Sequence, residues 1–172
     1  KTFHVGDGMV ADFDPVHKGL ECFASEDRKG GSTDKYLLSA DGKPLGKNEE
    51  VPSCRNWPWW DGDLLRETFK GDVNRWGASS SSNGRSLSIV KWKGETLTQG
   101  IKGDILMIAD LYGDWREEII TALPGEIRIY TTNLPAKDRR TTLMQDGIYR
   151  SYVAHRSMGY PQAPVPSYYL GE

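Results

Sequence analysis

The chain has only two cysteines, Cys22 and Cys54, in 172 residues. Neither lies in a Cys-x-x-Cys pair, which excludes the common zinc and dithiol motifs and leaves a single disulfide open. Apolar runs are short. The longest, Ile105 to Ala109, falls far below the roughly 20 residues that a membrane-spanning helix needs, so no membrane partner is expected. Charge of one sign is also missing. With 22 basic against 24 acidic residues the net charge is −2, and nothing marks a nucleic-acid partner. Three histidines are too few and too scattered for a metal triad. No Gly-x-Ser-x-Gly, Walker loop or helix-opening Gly-x-Gly-x-x-Gly occurs, so hydrolase-triad and nucleotide chemistry have no support. Sustained helical periodicity is nearly absent. The chain opens on Lys1 rather than Met, without a hydrophobic signal segment. A mature product or a portion of something longer is expected.

What is present favours β structure. Gly at 19 and Pro at 9 make up about 16% of the chain, against an average near 12%. Short β-leaning runs bounded by turn residues recur. Leu20 to Ala24 is one. Tyr36-Leu37-Leu38 leads into an Asp41-Gly42 hairpin signal. Leu87 to Trp92 alternates cleanly, with Leu87, Ile89 and Lys91 on one face, and Lys93-Gly94 turns it into Glu95 to Gln99. Ile105 to Leu111 reads as a buried strand. Ile119 to Leu123, Glu126 to Thr132 and Arg140 to Met144 read as three more. Gly77 to Gly84, with its four serines, reads as a loop. Six tryptophans and eight tyrosines are many for this length. Trp60 and Trp115 are expected in the core, and Trp76 is balanced between packing and a surface role.

A repeat organises the sequence. Asp12, Asp14 and Glu21 form its first copy. Asp61, Asp63 and Glu67 form the second, and Asp110, Asp114 and one of Glu117 or Glu118 the third. Each copy has an apolar lead-in, closely spaced aspartates and a glutamate opening the next strand. Gly62-Asp63 and Gly113-Asp114 lie 51 residues apart. A period near 50 in an all-β chain is the size of a four-stranded propeller blade. The chain therefore holds roughly three blades plus a C-terminal segment, too few to close a ring, and reads as an arc of a larger propeller. Chemically, aspartates alternating along a tight loop and followed by a longer carboxylate supply the oxygen set that Ca2+ takes. The same carboxylates can instead cap turns and accept loop amides.

The third copy, Ala109-Asp110-Leu111-Tyr112-Gly113-Asp114-Trp115-Arg116-Glu117-Glu118, resembles the signature of the rhamnogalacturonan lyases of polysaccharide lyase family 11. The resemblance continues through Arg128 to Thr132, Thr142 to Asp146, Tyr149-Arg150 and Gly159 to Pro164. Upstream it includes Trp60 to Glu67 and Val5 to Pro15. It covers nearly the whole chain in order. It implies an eight-bladed propeller stabilised by calcium, of which residues 1–172 are the C-terminal portion, in a secreted protein acting on acidic plant polysaccharide. The remaining blades would then be a partner of this arc.

The implied reaction is β-elimination at galacturonate in the rhamnogalacturonan backbone of pectin. It needs a cation on the substrate carboxylate, a base for the C5 proton and an acid at the leaving oxygen. Gly100-Ile101-Lys102 resembles a family Gly-Thr-Lys whose lysine faces the cleft, and Tyr160 matches a cleft tyrosine. These make Lys102 and Tyr160 the candidate catalytic pair. Gly100, Asp7 and His4 are candidate substrate contacts. Asp7 stands where the family usually has arginine. That exchange favours the alternative of a non-catalytic propeller module that binds an acidic polysaccharide. Three copies at a fixed period favour calcium at one or more of the Asp12, Asp61 and Asp110 groups, with Glu118 taken as the glutamate of the third.

Overall fold

The computed structural model describes residues 5–26, 34–48, 51, 56–71, 73–74, 77–78, 86–158 and 162–171. They form an almost entirely antiparallel β structure. The first sheet is a four-stranded meander of β1 (Val5–Ala11), β2 (Glu21–Glu26), β3 (Lys35–Ser39) and β4 (Pro44–Lys47), in that spatial order. The Asp41-Gly42 step turns β3 into β4, with Gly42 at φ 83°, where a residue bearing Cβ is strained. The second sheet orders β5 (Thr68–Gly71), β8 (Leu87–Val90) and β9 (Thr96–Ile101) side by side, and a short hairpin of β6 (Val73–Asn74) and β7 (Gly77–Ala78) lies between β5 and β8 in sequence. The third sheet orders β10 (Asp104–Ala109), β11 (Glu118–Leu123) and β12 (Glu126–Tyr130).

The alternation read from Leu87 to Trp92 holds for Leu87 to Val90, where β8 ends; Lys91 and Trp92 lie beyond it and are both half-buried. Leu87 and Ile89 are fully buried while Ser88 and Val90 are half-buried. They enter a core of Trp60, Phe69, Ile101, Ile105, Ile108 and Ile119 that joins the second and third sheets. A second core gathers Met9, Phe13, Phe23, Leu37 and Trp57 under the first sheet. Trp60 and Trp115 are buried, as expected. Trp76 and the four serines lie outside the described residues.

Each repeat loop occupies an equivalent place. The first connects β1 to β2, and the third connects β10 to β11. The second precedes β5, and residues 56–60 stand where the others have a first strand. There the Glu67 amide bonds the Pro58 carbonyl at 2.9 Å. The period of about 50 therefore marks one sheet per repeat, and no sheet closes on itself among the described residues.

The C-terminal part departs from expectation. Arg140 to Met144 is not a strand. Residues 140–142 are irregular, and Leu143–Gln145 is a 3-10 turn. It leads into a helix, α1 (Gly147–His155), that short periodicity did not announce. Asp146 caps α1 by accepting the Tyr149 amide at 2.8 Å, and Thr142 caps the preceding turn through Met144 N at 3.2 Å. Local capping chemistry outweighs the β-leaning composition of Thr141 to Met144. Tyr149 on α1 then enters a third core with Trp59, Leu64, Trp115, Leu143 and Leu170. That core fastens α1 and the C-terminal segment onto the second and third repeat loops.

Candidate functional site: three acidic loops and the β9–β10 turn

The three loops share one hydrogen-bond design. In each, the closing glutamate reaches back and accepts amides at the loop's start. Glu21 takes Phe13 N (3.0 Å) and Asp14 N (3.2 Å), Glu67 takes Trp60 N (2.7 Å), and Glu118 takes Leu111 N (2.9 Å) and Tyr112 N (3.2 Å). In each, the later aspartate accepts the amide two residues on. Asp14 takes Val16 N (2.9 Å), Asp63 takes Leu65 N (2.9 Å) and Asp114 takes Arg116 N (3.1 Å). These are Asx turns, which explains why aspartate recurs at this position. The turn-capping reading of the repeat is therefore realised in all three copies.

The loops differ in how the remaining charge is met. In the third, Asp110 accepts Gly113 N (2.8 Å) on one oxygen and Trp115 N (3.2 Å), Thr142 Oγ1 (2.8 Å) and Leu143 N (2.8 Å) on the other. The second oxygen of Glu118 accepts Thr131 Oγ1 at 3.0 Å, and that of Asp114 accepts the Arg116 guanidinium. Every carboxylate oxygen of Asp110, Asp114 and Glu118 has a donor. In the second loop, one oxygen from each of Asp61, Asp63 and Glu67 falls within 4.8 Å of the others, the one such acidic group among the described residues. Lys91 lies among them, 2.7 Å from Asp61 Oδ2 and 2.5 Å from Asp63 Oδ2. Desolvation works against the Lys91 charge, but the two aspartates outweigh it and hold the ammonium above the usual lysine range. Burial, with Asp61 adding to it, pushes Glu67 well up.

In the first loop, Asp12, Asp14 and Glu21 do not converge in this way. Asp14 meets His17 at 3.2 Å, and Asp12 accepts the Tyr169 hydroxyl. Glu21 is fully buried, and its Oε1 has no hydrogen-bond partner. Burial, against the pull of two amides, raises Glu21 to about 7. Tested against calcium, the three loops thus fit unequally. The first has an orphaned buried oxygen, the second has converging oxygens with a lysine among them, and the third is saturated by protein donors.

Arg66 and Glu117 stitch the loops together; sequence reasoning passed Arg66 over and weighed Glu117 only as an alternative to Glu118 in the third acidic group. Arg66 Nη1 lies 3.1 Å from Glu117 Oε2, and both side chains are buried. The guanidinium also bonds the Trp57 and Pro164 carbonyls and stacks 3.6 Å from the Trp59 ring centroid. Glu117 further accepts Trp59 N (3.0 Å) and the Tyr149 hydroxyl (2.7 Å), whose oxygen in turn accepts Asp110 N at 2.9 Å. Burial raises Glu117, with Arg66 and Tyr149 opposing. The signal was available. The Arg66-Glu67 and Glu117-Glu118 steps place a charged residue before the closing glutamates of the second and third loops.

Lys102 is exposed at the turn between β9 and β10. Its backbone is well held. The amide donates to the Tyr130 hydroxyl at 3.0 Å, and the carbonyl accepts Thr121 Oγ1 at 2.7 Å. Gly100, at φ 83° with open space where Cβ would lie, and Gly103, at φ 98° and pressed against the Ala122 carbonyl, frame this turn. Asp7 lies in β1 opposite Ser25, beside a register shift. His4, Tyr160 and Cys54 lie outside the described residues. Cys22 is half-buried in β2 and forms no disulfide among those residues.

This all-β frame with three stapled acidic loops coincides with a known enzyme family. Residues 1–172 match rhamnogalacturonan lyase family 11, C-terminal domain, and the chain belongs to that family. Among its relatives is the rhamnogalacturonan endolyase YesW of Bacillus subtilis (strain 168), 41% identical over 98% of this chain and 26% of that protein. The rhamnogalacturonan exolyase YesX of the same organism is 34% identical over 97% of this chain and 28% of its own length. The crystal structure of the exotype rhamnogalacturonan lyase YesX superposes with a TM-score of 0.74 at 33% identity, covering 97% of this chain and 29% of that one. The chain spans about a quarter of the length of these relatives.

Two outcomes follow from the loop chemistry. Arg66→Met should cost about 3–5 kcal/mol, because Glu117 is left buried without its cation. Arg66→Met combined with Glu117→Gln, which removes the charge but keeps an oxygen for the Trp59 amide, should recover part of that loss, which urea midpoints of the three proteins check. The second outcome concerns pH. The folded state holds the Glu21 proton more tightly than the unfolded chain, where the ordinary value is near 4.5. Its contribution to stability is therefore fully present below about 4.5 and is lost as pH rises through about 7. In chelator, the urea midpoint should fall across this window, and Glu21→Gln should flatten part of the fall.

Proposed function

We propose that this chain is the C-terminal arc of a secreted β-propeller enzyme that cleaves the rhamnogalacturonan I backbone of pectin by β-elimination at galacturonate. The observation that carries the proposal is the family match over residues 1–172, together with relatives named as an endolyase and an exolyase. The one-sheet-per-repeat arrangement supports a propeller whose other blades lie elsewhere in the protein.

In this reading the β9–β10 turn presents Lys102 to the substrate. The turn's backbone is pinned by Tyr130 and Thr121, so the ammonium is carried on a rigid mount. As the C5 proton leaves, its electron pair forms the C4–C5 double bond and the C4–O bond breaks. Lys102 either pairs with the substrate carboxylate, which stabilises the carbanion-like charge, or in its neutral form takes the C5 proton. Tyr160 gives its proton to the leaving oxygen or stacks on the sugar. Gly100 keeps the approach open, because no side chain projects there, and His4 completes the substrate contacts. We also propose structural calcium at the first loop, anchored by Glu21 with Asp12 and Asp14. When bound, the ion supplies charge neutralisation to Glu21 and holds the β1–β2 connection. The alternative, a binding module for acidic polysaccharide, rests on Asp7.

Lyase activity is read on rhamnogalacturonan by ultraviolet absorbance of the unsaturated product, with the whole protein. Lys102→Ala and Tyr160→Phe are each expected to lower kcat by about 10²–10⁴-fold, the usual range for a proton-transfer group. Wild-type rates in both would remove them from the mechanism. An inactive wild type that gains activity with Asp7→Arg would instead identify the binding module.

Calcium has its own test in thermal melts of the same protein. A chelator should lower Tm, and Ca2+ but not Mg2+ should restore it. An ion bound only by the folded state adds about 2.7 kcal/mol at a hundredfold excess over Kd. Glu21→Gln should shrink the response, and an unchanged wild-type melt after exhaustive chelation counts against the ion.

A further inference from the structure

We propose that Lys91 is the resident cation of the second acidic loop, occupying the place of a divalent ion and keeping calcium out of an otherwise competent oxygen cage. Three observations combine. First, the second loop is the one that draws three carboxylates into ligand range of one another, Asp61, Asp63 and Glu67 within 4.8 Å among the described residues. Second, the Lys91 ammonium sits 2.7 and 2.5 Å from Asp61 and Asp63. Calcium holds its oxygens at about 2.3–2.6 Å, so the nitrogen lies close to where an ion would bind the same two atoms. Third, the lysine arrives from a different part of the chain on a stiff mount. It begins the β8–β9 turn, where its amide bonds the Glu95 carbonyl and its carbonyl accepts the Gly94 amide, both at 3.0 Å.

The other two loops sharpen the assignment. Among the described residues, Asp14 of the first loop pairs with His17 and Asp114 of the third with Arg116. The third loop meets its charge with amides, hydroxyls and Arg116, and its carboxylates do not converge. The second loop converges and needs a cation, which the chain supplies itself. A covalently attached cation costs no binding entropy, does not respond to free calcium and joins the second loop to the β8–β9 turn. The inference is independent of lyase activity.

The test counts calcium on the whole protein by equilibrium dialysis after chelator stripping, for wild type, Lys91→Met and Lys91→Arg. Lys91→Met is expected to bind one more calcium per chain than wild type, and Lys91→Arg, which keeps the charge, the same number. Melts give a second readout. In chelator, Lys91→Met should melt below wild type, and calcium should raise it by more than it raises wild type. Should Lys91→Met fold only when purified with calcium, the inference stands. Equal stoichiometry in wild type and Lys91→Met overturns it. So does a loss of stability, or of folding, that calcium does not repair.

Discussion

Glu117 is a carboxylate with no access to water, and its burial sets terms for everything around it. It holds Arg66 from the second loop, the amide of Trp59 ahead of that loop, and Tyr149 from α1. Breaking any of these leaves a buried charge or donor unmet, which is far more costly than the pair's net contribution. The knot thus works as a constraint on register. The second and third repeats can dock in one way only, with the Glu117 amide on the Trp59 carbonyl at 2.8 Å. Arg66 makes the matching link backwards, its amide on the Asp12 carbonyl at 2.7 Å. The second and third repeats are each tied to the one before through the residue that precedes the closing glutamate.

The loops show how one local design accommodates different electrostatics. A glutamate staple and an Asx turn shape each connection, and both need ionisable side chains close together in partial burial. That repulsion must be relieved. The third loop does it with a dense set of donors. The second does it with a lysine, and the first leaves one oxygen unmet and raises the Glu21 proton affinity instead. The same repeat therefore meets its charge in different ways, depending on which donors and cations lie beside it.

The turn that carries Lys102 lies between the second and third sheets, where β9 hands over to β10. Its neighbours Tyr130 and Thr121 come from β12 and β11, so the third sheet positions the backbone of a residue that follows the second. The backbone of this turn is thus held by sheet rather than by loop, which favours reproducible geometry. The two curated relatives are about four times longer than this chain.

Much of the architecture was legible in the amino-acid sequence because its causes are local. Period-2 alternation marked Leu87 to Val90, the Asp-Gly step marked the β3–β4 hairpin, and the spacing of 51 residues marked one sheet per repeat. Each follows from strand geometry or turn chemistry within a few residues. The family was legible too, since long motifs persist in order. The helix α1 was not, because nine residues with a single buried position carry little periodicity and depend on Asp146 and the third core. Nor could the sequence tell which loop would bring its carboxylates together. Asp61, Asp63 and Glu67 follow the same order of two aspartates and a glutamate as their counterparts, though not at the same spacing. What separates them is Lys91, 24 residues beyond Glu67 and brought near by the pairing of β5 with β8. Charge compensation acts through space at a few ångströms, so only the tertiary structure could decide it.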